Sequence, residues 1–199
     1  MATRINTFLD TIGQGVKPNM FSINIEWPSD LGENSSPTHD KNLINVLCKS
    51  AALPASNLGV IEVPFRGRTV KIAGDRTFDT WSATFFNDKD FKLRSFFEQW
   101  ANSINTHEGN TAPLFLPNAN NGYMADLLVH QLEKDASEGG SKLRTYKLHH
   151  CFPTNVSPID LAYDSNDQIE EFTVEWQYSF FTAEAGSDAR AGVSNIGVV

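Results

Sequence analysis

Cysteine is almost missing: Cys48 and Cys151 are the only two among 199 residues. Two thiols cannot build a disulfide scaffold, and no C-x-x-C pair is present to bind zinc. Both read as small buried hydrophobes in a reduced cytosol. No apolar run approaches the ~18 residues of a membrane span, and Met1 to Asn24 lacks the apolar centre of a signal peptide. Positive charge is scarce as well, with 16 Lys+Arg against 24 Asp+Glu, a net charge of −8 and a pI near 5.0. A protein that grips nucleic acid by its phosphates needs the opposite balance; one that lets nucleic acid pass does not. The phosphate-loop, dinucleotide, H-E-x-x-H, G-x-S-x-G and EF-hand patterns are all absent. His149 and His150 are neighbours on an expected strand, so their rings should point to opposite faces and share no ion. Glu171 and Glu175 share a strand face but stand ~13 Å apart, too far for a glycosidase pair. No enzyme activity, cofactor or metal is expected.

What is abundant is aromatic residues, 11% of the chain, 14 of them Phe. Alternation of apolar and polar residues predicts strands at 20–27, 42–52, 60–65, 69–73, 78–87, 123–134, 142–152, 159–163 and 168–181. Ile44, Val46 and Cys48 should share one face of the second, and Ile61, Val63 and Phe65 one face of the third. From Asp88 to Ile104 the spacing changes: Phe91, Leu93, Phe96, Phe97, Trp100 and Ile104 form one helical stripe, with Asp88 as its N-cap. The expected fold is mainly β, a two-sheet sandwich or partly rolled barrel with one packed α-helix. Residues 1–19 read as an arm with at most a short helix, Arg4 to Ile12. Residues 20–182 read as the domain, with polar inserts at 28–41 and 105–122, and 183–199 as a tail.

Four segments carry a resemblance. Val70 to Trp81 contains A-G-D-R-T-F-D-x-W, formed by Ala73, Gly74, Asp75, Arg76, Thr77, Phe78, Asp79 and Trp81; Asn87-Asp88-Lys89-Asp90-Phe91 follows it before the helix. Cys48-Lys49 with Leu53-Pro54 matches C-K-x-x-x-L-P. Pro153-Thr154-Asn155-Val156 matches a P-T-N-V turn, and Lys17-Pro18-Asn19-Met20-Phe21 resembles R-P-N-L-F. Taken in their order along the chain, from residue 17 onward, these segments strongly resemble the tail tube proteins of contractile-tailed bacteriophages.

The resemblance implies hexameric rings, stacked into a hollow tube, whose strands join in one continuous barrel around a channel. It implies a virion protein assembled in the host cytoplasm. Its partners would be further copies of itself, a surrounding sheath protein, baseplate and tail terminator proteins, and tape measure protein and DNA in the lumen, held without specific binding. The acidic balance suits a channel wall that repels phosphates. Residues on polar strand faces that could line it are Asn45, Lys49, Glu62, Gln131, Glu133, Glu171 and Glu175. The polar loop Pro28 to Lys41 and the turn Asp135 to Ser141 are candidates for contacts between rings. A tube initiator or baseplate adaptor, a type VI secretion or bacteriocin tube protein, and, from another class, a carbohydrate-binding β-sandwich remain as alternatives.

Overall fold

The computed structural model describes residues 2–13, 15–26, 43–112, 122–134 and 141–185. Its elements run α1 (Ala2–Ile12), β1 (Phe21–Glu26), α2 (Leu43–Leu47), β2 (Cys48–Ala51), β3 (Asn57–Phe65), β4 (Arg68–Thr77), β5 (Trp81–Phe86), α3 (Lys92–Ile104), β6 (Ala125–Leu132), β7 (Lys142–Val156), β8 (Glu171–Gln177) and β9 (Phe180–Ala185). Every strand pairing is antiparallel. The path β1-β6-β7-β8-β5-β2 forms one sheet, with β9 also on β7, while among the described residues β3 and β4 pair only with each other.

β7 makes this a two-layer structure. Residues 142–148 and Cys151 pair with β6, residues 144–149 with β9, and residues 152–156 with β8. Between them His150 adopts φ 58, a left-handed conformation that bends a strand. One layer is therefore β1-β6-β7-β9 and the other β7-β8-β5-β2, and the roll stays open because β1 and β2 do not pair. α2 sits across the opening: Ile44 is buried, and the Asn45 side chain accepts the backbone N–H of Ile23 at Oδ1. A polar group is thus supplied to an exposed strand edge.

The core is aromatic. Phe85, Phe97, Phe172, Trp100 and Trp176 are essentially fully buried, with ring centroids 5.6–6.1 Å apart in the pairs Phe85–Phe97, Phe97–Trp176 and Phe85–Trp176. Offset and edge-on aromatic pairs add to what area burial provides. α3 contributes Leu93, Phe96, Phe97 and Trp100, the stripe its spacing predicts. It begins later than expected, at Lys92, because Phe91 takes φ 55. The Asp88 carboxylate still caps it from upstream, accepting the N–H groups of Lys92 and Leu93 at 3.1 and 3.3 Å.

Five other expectations change. Residues 43–47 are helical: Ile44 is buried and Val46 exposed, so the two do not share a face, and Leu43, Ile44 and Leu47 point inward with helical spacing. Residues 159–163 form no strand and are mostly exposed. The strand read at 168–181 is broken after Gln177 into β8 and β9, which pair with different halves of β7. Strand structure runs to Ala185, past the expected tail boundary at 183. The bend at His150 also breaks alternation, so that both His149 and His150 lie against Phe180, at 4.6 and 5.9 Å.

His130 is the one buried charged or polar side chain among the described residues, and its Nδ1 pairs with Thr145 Oγ1 at 2.9 Å. Burial, aided by the charge of Lys142, pushes its pKa down to about 4. The unfolded chain takes up this proton near pH 6.5, whereas the folded one resists until pH 4, so stability falls as pH drops through that window. The expected loss is on the order of 2–3 kcal/mol. Equilibrium denaturation at pH 7 and pH 4.5 should show it in the wild type and much less in His130→Gln. Equal pH dependence of the two would refute the assignment.

Candidate assembly surfaces

The β3–β4 hairpin stands apart from both layers. Its register pairs Ile61 with Ile72, Val63 with Val70 and Phe65 with Arg68. Partners directly opposite lie on one side of a ribbon, so Ile61, Val63, Phe65, Val70 and Ile72 form one apolar face. These five side chains are 41–61% exposed. The other face carries Glu62 and Lys71, an ion pair at 3.5 Å. A contiguous apolar face on a projecting ribbon marks a protein contact.

The A-G-D-R-T-F motif forms the root of this ribbon. The register slips between Leu58 and Val60, where Gly59 and Gly74 meet. A Cβ on Gly59 would lie 3.0 Å from the Asp75 carbonyl oxygen, and one on Gly74 3.2 Å from Gly59 and Ile61 atoms. Glycine is needed where two backbones approach this closely. Arg76 donates from Nη1 to Ser56 Oγ at 3.0 Å, and Asn57 donates to the Asp79 carboxylate. Phe78 packs on Tyr178 and Phe181. Trp81 packs on Trp176 at 5.1 Å and donates from Nε1 to the Ala52 carbonyl at 2.6 Å. Thr77 pairs with Asn57, while Leu53 is exposed and Pro54 half-buried. The motif thus clamps a ribbon to a core.

The layer β7-β8-β5-β2 offers a second surface. Its inner face is the core; its outer face aligns Ser82 with Glu175, Thr84 with Thr173 and Phe86 with Glu171. Lys49 Nζ bonds both Glu171 oxygens at 2.6 Å. This half-exposed pair neutralises some of the acid and contributes little stability. Asn155 reaches Glu175 at 3.4 Å, and Thr154 Oγ1 donates to the Glu175 carbonyl. Pro153-Thr154-Asn155 is not a turn: it lies inside β7 at a register shift between Pro153 and Asn155. Proline lacks the N–H that a ladder needs and is tolerated at bulges and edges. Among the described residues, β2 and the final residues of β7 are this layer's two outer strands. Asn87 bonds Glu170 through both its backbone and its side chain, which ties β5 to the approach of β8.

The residues read as candidates for a channel wall are dispersed. Lys49, Glu171 and Glu175 share the polar face just described. Glu62 is on the hairpin and Asn45 on α2. Gln131 holds the root of the N-terminal arm, donating from Nε2 to the carbonyls of Lys17 and Met20 at 3.0 and 2.7 Å; Glu133 follows it and is exposed. Residues 28–41 and 135–140 lie outside the described residues. Asp126 anchors a polar cluster, bonding Lys147 at 3.0 Å, His149 at 3.4 Å and the His150 N–H at 3.1 Å. Burial alone would raise its pKa, but those hydrogen bonds and charges outweigh it and hold the carboxyl below its usual value. Two surfaces escaped the sequence reading: exposed Leu161, Tyr163 and Ile169 before β8, and exposed Ile5, Phe8, Leu9 and Ile12 on α1. The α1 stripe was detectable from its helical spacing.

The family model described as phage tail tube protein matches residues 16–184. Tail tube protein gp19 of Enterobacteria phage T4 is 33% identical over 162 residues, 81% of this chain and 88% of the relative. The tail tube protein of Serratia phage KSP90 is 29% identical over 182 residues, 89% and 95% of the two chains. Among solved structures, the sheath–tube complex of an extracellular contractile injection system in its extended state aligns over 90% of this chain and 97% of its own, with a TM-score of 0.57 at 15% identity. The anti-feeding prophage baseplate structure aligns over 83% and 93%, also at a TM-score of 0.57 and 14% identity.

Proposed function

This chain belongs to the phage tail tube protein family, and from that premise we propose that it assembles into hexameric rings that stack into the inner tube of a contractile tail and conduct DNA. It is a structural tube protein, and tail tube proteins of phages are virion components. The observation that carries the finer reading is the projecting β3–β4 hairpin. Its apolar face is exposed in the lone protomer, and a neighbouring subunit would cover it.

Ring formation also gives the two outer strands of the polar-faced layer a partner. β2 of one subunit lies beside the end of β7 of the next, which removes open edges. In that arrangement the face bearing Glu171, Thr173 and Glu175 turns toward the channel. Its acid repels phosphate, while Lys49 tempers the field locally. The exposed face of α3, with Glu98 and Gln99, points outward toward a sheath. Baseplate and terminator proteins bind the tube's two ends, and assembly takes place in the host cytoplasm.

Negative-stain microscopy of the purified protein tests this reading. Hollow tubes of stacked six-fold rings are expected. Isolated rings that never stack would identify an adaptor in place of a tube subunit, and a persistent monomer would overturn the proposal.

A further inference from the structure

Two amphipathic elements each expose an apolar face. On α1, Ile5, Phe8, Leu9 and Ile12 recur at i, i+3, i+4 and i+7 and make one stripe, with the four side chains 49–60% exposed. On the hairpin, Ile61, Val63, Phe65, Val70 and Ile72 make the other. A helix of 11 residues is marginal in water and draws its stability from packing its apolar side. A two-stranded ribbon is marginal for the same reason. Both elements are incomplete in a lone protomer.

We propose that α1 of one copy packs its apolar stripe along the apolar face of the β3–β4 hairpin of a second copy. The proposal rests on the reading of the chain as a polymerising tube subunit and names a contact that joins the copies. The dimensions agree: Ile5 to Ile12 rises ~10 Å along a helix, and Ile61 to Phe65 spans ~13 Å along a strand. The charges agree as well. The last turn of α1 has no basic residue, so the partial negative charge of its carbonyl end is uncompensated. The hairpin tip holds Arg66 and Arg68, which face that end when the helix runs toward the tip. A contact between two unlike surfaces of one chain is head-to-tail, the kind that propagates a polymer. The arm can make the reach: Gly13 and Gly15, at φ 55 and 66, let the chain turn directly after α1, while Gln131 fixes the arm's root at Lys17 and Met20.

Cysteine exchange in a Cys48→Ser background tests the contact, since Cys151 is fully buried and Cys48 is not. Phe8→Cys and Val63→Cys chains are made separately, mixed at a concentration where the wild type polymerises, and oxidised. A disulfide between the two chains is expected, and none when Phe8→Cys is mixed with Glu98→Cys on the outer face of α3. Phe8→Glu should leave the melting temperature unchanged and raise the critical concentration for tubes roughly tenfold or more. Wild-type tube formation by Phe8→Glu overturns this contact alone. So does a cross-link that forms only inside one Phe8→Cys/Val63→Cys chain, or a stripe that binds phosphatidylglycerol vesicles while tubes are unaffected. A wild-type chain that forms no rings or tubes overturns both this contact and the reading beneath it.

Discussion

A chain carrying Val63→Asp together with Val70→Lys is expected to fold as the wild type does and to lose its tubes. The two positions face each other across the hairpin, so the substitutions place opposite charges side by side. Such cross-strand pairs contribute roughly 0.2–1 kcal/mol to a ribbon, which offsets part of the lost β-propensity. The hairpin lies outside the core cluster, and the melting temperature should move by no more than about 4 °C, the shift that ~1 kcal/mol produces in a chain of this size. Assembly responds differently. Burying these charges in an apolar contact costs several kcal/mol even when they are paired, so the critical concentration should rise at least about a hundredfold. Sedimentation across a concentration series, with thermal melting in parallel, separates the two effects. Normal tubes from this variant would remove the hairpin from the assembly mechanism; a collapsed melting temperature would show that it belongs to the core.

The same hairpin shows what could be read from sequence and what could not. Alternation placed Ile61, Val63 and Phe65 on one side, and the structure keeps them there. Periodicity reports which face is apolar and says nothing of what covers it, so the departure of β3 and β4 from the body was invisible. α3, β5 and β8 were legible because their buried faces repeat over many residues, in the helix as Leu93, Phe96, Phe97 and Trp100, in the strands as alternate positions. Leu43 to Leu47 was not, since a run this short fits either period and the choice of helix follows from Ile44 packing inward beside β1. Breaks inside long strands were missed at His150 and after Gln177, because the conformations that bend a chain leave the apolar pattern almost unchanged. For the site, the A-G-D-R-T-F segment was found by resemblance. Its physical task, a close approach of Gly59 to Gly74 with Trp81 held by Trp176 and the Ala52 carbonyl, needed coordinates. The charged residues Glu62, Glu171 and Glu175 alternate alike, but belong to a ribbon and to a sheet face that only tertiary structure separates.

Trp81→Ala is expected to be the most destabilising change in the motif, at about 3–5 kcal/mol. The indole is 3% exposed and faces Trp176 across the β5–β8 pairing. Truncation opens a cavity beside the aromatic cluster and leaves the Ala52 carbonyl without its donor. Against the usual 5–15 kcal/mol of a folded domain, such a loss leaves a folded but much weaker protein, and urea denaturation reads it directly. Trp81→Phe divides the side chain's two tasks. It restores most of the buried ring and loses only the bond from Nε1 to Ala52, so its cost should fall to about 1–2 kcal/mol. That bond secures the segment from Ala52 to Ser56, which leads into β3 and supplies the Ser56 hydroxyl that Arg76 grips. Trp81→Phe should therefore weaken tube formation beyond what its small stability loss explains, because it loosens the hairpin at its root. If assembly in Trp81→Phe merely tracks stability, the indole serves the core alone, and the motif's link between core and hairpin must run through Phe78 and the Gly59–Gly74 contact.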